Sequence, residues 1–326
     1  MDILYRRKFS ILIALVLAVS MLFFAGCKED EEQTDSTTYD KLIVEYIDVG
    51  QGDATFIKLP DGKTMLIDTG EDNEVVKNKV SETIEKYTDR IDYLVLTHMD
   101  NAHISNAINV IEEFSIGKAF VPKVLNTQNY KTYSNVYKML KDREIPIENS
   151  RTYLDLSSLD YTLLFLTPLS SGEESSYTIF NSATLPTETM LNNLSPIIYL
   201  EYKNTRFLFT GDNEVEEENI VREYYQNSLY SISTGKTIKL EDIDFYKLAN
   251  HGSSSSNGKE FLSLLKAKNV VISVGGNNNE DCPASVVMAN LYLANSEYTL
   301  YRTDRDKSIT VLLNEFGKYI VNKEKA

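Results

Sequence analysis

From Leu42 onward, short β-rich runs alternate with helix-period patterns, and this alternation, more than any single residue, points to a layered α/β architecture. Leu42–Val49, Ala54–Leu59 and Thr64–Ile67 read as three strands joined by tight turns, with Asp61-Gly62 marking a hairpin. A helix is expected over Glu74–Tyr87, where Val75, Val76, Val80 and Ile84 recur on one face. Ile91–Leu96 reads as a buried strand that empties into Thr97–His103, with a helix following to about Glu113. Further strands are expected at Lys118–Pro122, Tyr161–Leu166, Ile197–Tyr202, Arg206–Phe209, Phe245–Leu248, Val270–Val274, Tyr298–Tyr301 and Ser308–Leu313. Helical patterns cover Val215–Tyr225, Lys259–Leu265 and Ala284–Leu293, and the polar stretches Ser170–Asn193 and Gln226–Thr237 read as surface insertions.

The first residues have a different character. Arg6, Arg7 and Lys8 precede an apolar run from Phe9 to Phe24, and Ala25-Gly26-Cys27 follows, which is the layout of a secretion signal. Small residues before a cysteine resemble the lipobox of bacterial lipoproteins, in which the thiol of Cys27 would receive a diacylglycerol; an uncleaved anchor helix is the alternative. Either reading places the remainder on the extracytoplasmic side of a membrane, tethered there. Residues 1–26 are then a signal peptide, 27–40 the lipidated Cys and an acidic flexible linker, and 41–326 the folded domain.

The 326 residues carry a formal charge of −15, which becomes −17 once Asp2 and the three basic residues of the leader are removed. A surface with 48 acidic and 33 basic residues does not attract a phosphate backbone as a whole, so long DNA is disfavoured and any nucleic-acid role rests on a local site. With Cys27 consumed, Cys282 has no partner for a disulfide within the chain. The 21 tyrosines are dispersed through strand and helix patterns, which favours packing over base stacking.

Only three histidines occur, His98, His103 and His251, and each lies just beyond a strand-like run beside carboxylate or Gly/Ser residues. Such a ring can offer one nitrogen to a metal while a neighbour holds the other. The motifs around them resemble the metallo-β-lactamase superfamily, and within it the hydrolase domain of ComEC-type competence proteins. The matching segments, in the family's order, are Ile47–Ala54, Leu66–Gly70, Thr97–His103, Asn193–Ser195, Phe209–Asp212, Asn250–Ser253, Ile272–Gly275 with Asn277-Asn278, and Tyr301–Asp304.

The resemblance implies an αββα sandwich with a metal site at one edge of two packed sheets. It implies that His98 and Asp100 face a first metal, His103 and His251 a second, and that Asp212 bridges both. Asp68 is implied to orient the His loop. Two divalent ions about 3.5–4 Å apart would lower the pKa of a water and hold the attacking and leaving oxygens. The ion expected is zinc, or else manganese, in one or two copies.

Three residues depart from the family's pattern. Ala102 stands where a second-site Asp is expected, Asn250 replaces the first of two paired histidines, and Cys282-Pro283 stands where many relatives have His-Pro. The Cys282 thiol could be a soft ligand or a small buried apolar group, and the latter is favoured. The Gly50–Gly52 turn with Asp53-Ala54 reads as a backbone turn near the site, while Ser253–Ser256 reads equally as a phosphate cradle or a loop. The expected function is a membrane-tethered metal-dependent hydrolase, a phosphodiesterase or nuclease-like enzyme taking a small phosphodiester, with single-stranded DNA disfavoured by the acidic surface. The alternative is a catalytically impaired domain that binds a ligand or partner.

Overall fold

Asp61 and Gly62 illustrate how local chemistry sets this fold: Gly62 takes φ +86°, which a side chain would resist, and its turn closes with the Leu59 N–H donating to the Lys63 carbonyl at 2.8 Å. The structure is a computed structural model that describes residues 38–123, 130–168, 187–227, 235, 237–276, 278 and 281–324. The expected signal peptide, Cys27 and most of the linker lie outside the described residues, as do most of the two polar insertions. The described residues from Thr38 onward form one compact unit.

Along the chain run β1 (Leu42–Tyr46), β2 (Thr55–Lys58), β3 (Thr64–Ile67), α1 (Glu74–Glu85), β4 (Arg90–Val95), α2 (Asn101–Ile104), α3 (Ala107–Glu113), β5 (Ser115–Val121), α4 (Lys131–Asp142), β6 (Ile147–Asn149), β7 (Leu154–Asp155) and β8 (Tyr161–Phe165). There follow α5 (Glu188–Asn192), β9 (Ile198–Tyr202), β10 (Thr205–Phe209), α6 (Val215–Asn227), β11 (Phe245–Lys247), α7 (Lys259–Leu265), β12 (Asn269–Ile272), α8 (Ser285–Ala294), β13 (Thr299–Arg302), α9 (Thr303–Asp306), β14 (Ile309–Leu313) and β15 (Tyr319–Lys323).

Two sheets result, in the orders β15-β14-β1-β2-β3-β4-β5-β6 and β13-β12-β11-β10-β9-β8-β7. The first is antiparallel up to β3 and parallel from β3 to β6; the second is parallel from β13 to β10 and antiparallel from there to β7. Three apolar layers hold them. Between the sheets, Val44, Tyr46, Ile57 and Phe120 meet Leu163, Leu200, Phe207, Phe209 and Phe245. On one outer face, Leu66, Leu94 and Val121 pack against Val76, Val80 and Ile84 of α1 and Val136 and Leu140 of α4. On the other, Leu208, Tyr246 and Val270 pack against Phe261 of α7 and Val287 and Leu291 of α8. The αββα sandwich implied by the motifs is the observed architecture. Five fully buried tyrosines (Tyr46, Tyr133, Tyr161, Tyr199 and Tyr246) belong to these layers.

Most predicted elements agree with the observed ones to within a few residues. Val75, expected on the inner face of α1, is 74% exposed, because Val76, Val80, Thr83 and Ile84 define the buried stripe. Helix α4 carries a weak sequence signal: its buried Tyr133, Val136 and Leu140 keep helical spacing, but they sit among lysines and no side-chain cap marks its start. Strand β15 is largely exposed and lies at a sheet edge, so burial alternation does not announce it. The end of the first polar stretch is helix α5.

Parallel strands matter for function because their carboxyl ends share one edge. Asp68 follows β3, the His98 loop follows β4, Asp212 follows β10 and His251 follows β11. Side chains from both sheets can therefore meet beyond that edge.

Candidate metal centre

The Nε2 atoms of all three histidines converge on one carboxylate oxygen. Oδ2 of Asp212 lies 3.7 Å from His98 Nε2, 3.2 Å from His103 Nε2 and 3.7 Å from His251 Nε2. All four side chains are buried. His98 Nε2, His103 Nε2 and Asp212 Oδ1 have no hydrogen-bond partner, and unpaired buried polar atoms of this kind are costly unless something binds them. The ligand atoms of His98, His103 and Asp212 lie within 4.8 Å of one another, as an ion requires.

Each ring is aimed by its other nitrogen. His251 Nδ1–H donates to the Ser273 carbonyl at 2.8 Å, which fixes the tautomer because a carbonyl only accepts. His103 Nδ1 lies 2.8 Å from Asp68 Oδ2. Asp68 also accepts the Thr97 N–H at 2.8 Å on Oδ1 and the Thr97 hydroxyl at 2.7 Å on Oδ2. With its proton spent on Asp68, the Thr97 hydroxyl accepts from His98 Nδ1 at 3.0 Å. The fully buried Asp68 carboxylate thus ties the His98 and His103 ends of one loop together. The turn before Asp212 needs glycine: Gly211 has φ +51°, and a Cβ there would meet Ser195 Cβ at 2.8 Å.

Electrostatics divide the rings. Burial and the neighbouring His103 lower the His98 pKa to about 4, so its ring is neutral. Burial also opposes charging His103, but Asp212 and Asp68 on either side raise its pKa well above the ordinary histidine value. Burial works against ionising Asp212 as well, and His103 and His251 outweigh it, leaving that carboxyl well below its usual range.

The other expected residues lie as follows. Asp100 is exposed at the rim, caps α2 and accepts the Ala102 N–H at 2.9 Å; it is not among the clustered ligand atoms. Ala102 lines the same cavity, and its carbonyl comes so close to Gly52 that a Cβ there would lie 2.3 Å from it. Asn250 lines the cavity beside Ser253 and Ser255. Cys282 packs in the apolar layer under α8 and is not part of the His98, His103 and Asp212 cluster of ligand atoms.

An ion pair lies behind the histidines. The Lys247 ammonium contacts Asp53 Oδ2, both side chains being 3% exposed, and the same oxygen lies 3.9 Å from His103 Nδ1. Burial disfavours the Asp53 charge, but Lys247, His251 and His103 keep its carboxyl below the usual range. A lysine inside the buried run Phe245–Leu248 was the available signal.

The cavity has a volume of about 540 Å³. Five carboxylates line it (Glu71, Asp100, Glu188, Asp212 and Glu214), and no described lining residue is a lysine or arginine.

The family description "Metallo-beta-lactamase superfamily" matches residues 47–276, which include Asp68, His98, His103, Asp212 and His251. The chain belongs to this superfamily. Within the superfamily, it is 26% identical over 307 residues to ComE operon protein 3 of Bacillus subtilis (strain 168), covering 89% of this chain and 34% of that protein. It is 24% identical over 258 residues to Recombination protein 2 of Haemophilus influenzae, covering 76% of this chain and 26% of that protein. The resemblance to ComEC-type competence proteins therefore holds, at low identity, and the chain spans only about a quarter to a third of the length of these relatives. The fold is similar to that of CmlA, a diiron beta-hydroxylase from Streptomyces venezuelae, with a TM-score of 0.51 at 16% identity over 85% of this chain and 55% of that one. Metallo-beta-lactamase folds usually bind divalent metals, and the His/Asp cluster here suits one. No helix among the described residues is long and apolar enough to cross a membrane.

Proposed function

We propose that the chain is a divalent-metal-dependent hydrolase of small phosphodiesters, held on the extracytoplasmic face of a membrane by lipidated Cys27. The convergence of three Nε2 atoms on Asp212 Oδ2 carries this reading. His98, His103 and Asp212, with His251 beside them, would hold the ion, and zinc fits a set of imidazoles and one carboxylate better than a hard cation does. Once bound, the ion supplies Lewis acidity and an acidified water. Asp68 holds His103 with its Nδ1 proton outward and Nε2 inward, while Thr97 does the same for His98. The acidic lining repels a polyanionic strand, which favours a substrate with one negative charge over single-stranded DNA.

Ala102 supports a second reading, a domain that binds without turnover, because this residue lines the cavity and has no carboxylate with which to complete a second site. The two readings separate on the zinc and manganese content of residues 28–326 purified without chelator, measured beside His103→Ala. One or two equivalents, reduced in the variant, support the hydrolase and justify a phosphodiester screen. No metal after reconstitution with excess ion would overturn it in favour of a binding module.

A further inference from the structure

His251 is presented by an unusual stretch of backbone. Asn250 (φ 48°, ψ 49°), His251 (φ 53°, ψ 14°) and Gly252 (φ 87°) are three consecutive left-handed residues, a conformation that two of them, having side chains, resist. Such a run persists only where its surroundings over-determine it. Part of the restraint is local: the Ser253 N–H donates to the Asn250 carbonyl at 2.7 Å, and the Asn250 N–H to the Gly211 carbonyl at 3.0 Å.

The rest comes from outside the site. Asn257 is fully buried, and its side chain clamps Ala249 from both sides, Oδ1 accepting the Ala249 N–H at 3.1 Å and Nδ2 donating to the Ala249 carbonyl at 2.9 Å. The same Oδ1 accepts the Tyr246 hydroxyl at 3.0 Å. Asn257 is itself left-handed, at φ 64°. Its backbone N–H donates to Glu218 Oε1 at 2.6 Å, and the Gly258 N–H donates to Oε2 of the same carboxylate at 2.7 Å. Glu218 is fully buried on α6 and is not one of the residues lining the cavity. A buried carboxylate with both oxygens engaged by adjacent amides is a rigid anchor; burial raises the Glu218 pKa to about 7, and the Gly258 and Asn257 amides, which favour the ionised form, work against that rise.

We propose that Glu218 is a positioning residue for His251: its carboxylate fixes Asn257, whose side chain fixes Ala249 at the entrance to the left-handed run that presents the ring. The ring's direction then depends on a residue on a separate helix. Glu218→Gln keeps the shape but turns one acceptor into a donor facing a backbone N–H, which breaks the anchor without opening a cavity.

The test uses long-range ¹H–¹⁵N imidazole spectra of the purified full chain labelled at histidine. Three histidines give three ring systems, and loss of a set in His251→Ala assigns His251. In metal-free Glu218→Gln the His251 ring signals are expected to shift or broaden while those of His98 and His103 stay in place. Unchanged His251 signals, or equal movement of all three rings, would overturn the proposal. Asn257→Ala should reproduce the pattern and serves if Glu218→Gln fails to fold. A second arm, which rests on the metal-centre reading, measures zinc affinity by chelator competition. Glu218→Gln should weaken zinc about tenfold in the wild-type background and add nothing to His251→Ala. Equal weakening in both backgrounds would overturn the positioning role, whereas a wild-type chain that binds no zinc would overturn the metal reading and leave the spectra to decide this one.

Discussion

His103 Nε2 lies 3.2 Å from Asp212 Oδ2 inside the fold, a charge contact that any metal ion entering between them must displace. In the metal-free protein His103 is raised well above its ordinary value and is protonated at pH 7, whereas His98, at about 4, is already neutral. Zinc binding at pH 7 should therefore release about one proton, from His103 and not from His98. Affinity should rise with pH until the His103 value is passed and then level off. Calorimetric titrations in buffers of different ionisation enthalpy read the proton count directly, and a count of zero would contradict this assignment.

Ala102→Asp adds a carboxylate to a position that lines the cavity beside His103. If the centre is a weakened dinuclear one, the substitution should raise bound metal from about one equivalent toward two and raise hydrolysis with it. Metal analysis and turnover of one preparation check both, and no change in either would leave a single-ion centre as the reading.

Much of this centre was legible in the sequence because its residues sit in short, ordered motifs directly after strands. Asp68, His98, His103, Asp212 and His251 occupy such positions, and the parallel strands deliver them to one edge. Lys247 was hidden for a physical reason: one charge in a run of four reads as the solvent face of a strand, and only the partner across the sandwich, Asp53, shows that it points inward. Asn192, whose Nδ2 donates to Glu214 Oε1 at 2.8 Å, lies in a stretch whose polarity reads as a surface loop, yet both residues line the cavity. Glu218 was equally obscure, since its acidic neighbours make the start of α6 look like an ordinary solvated first turn.

The Lys247–Asp53 pair should behave as a unit. Lys247→Met alone leaves a buried carboxylate without its main counter-charge and should cost about 3–5 kcal/mol of stability. Asp53→Asn combined with Lys247→Met removes both charges and should recover a large part of that loss, so the two effects are non-additive. Urea denaturation of the four proteins measures the coupling. Strict additivity would mean that the two charges do not sense each other.

Glu217 supplies a stability effect whose pH window is separate from the metal. It is 4% exposed on α6, and burial raises its carboxyl to about 7 from an ordinary value of 4.5. The folded state therefore holds a proton between these two values that the unfolded chain has released. Stability attributable to this group is greatest below about 4.5, falls as pH rises toward 7 and is constant above that. Glu217→Gln, neutral at every pH, should match the parent near pH 4 and exceed it above pH 7 by on the order of 1–3 kcal/mol. Thermal melts of the metal-free pair at several pH values test the direction as well as the size. A gain that is the same at both ends of the range would trace to packing of the amide and not to the buried charge.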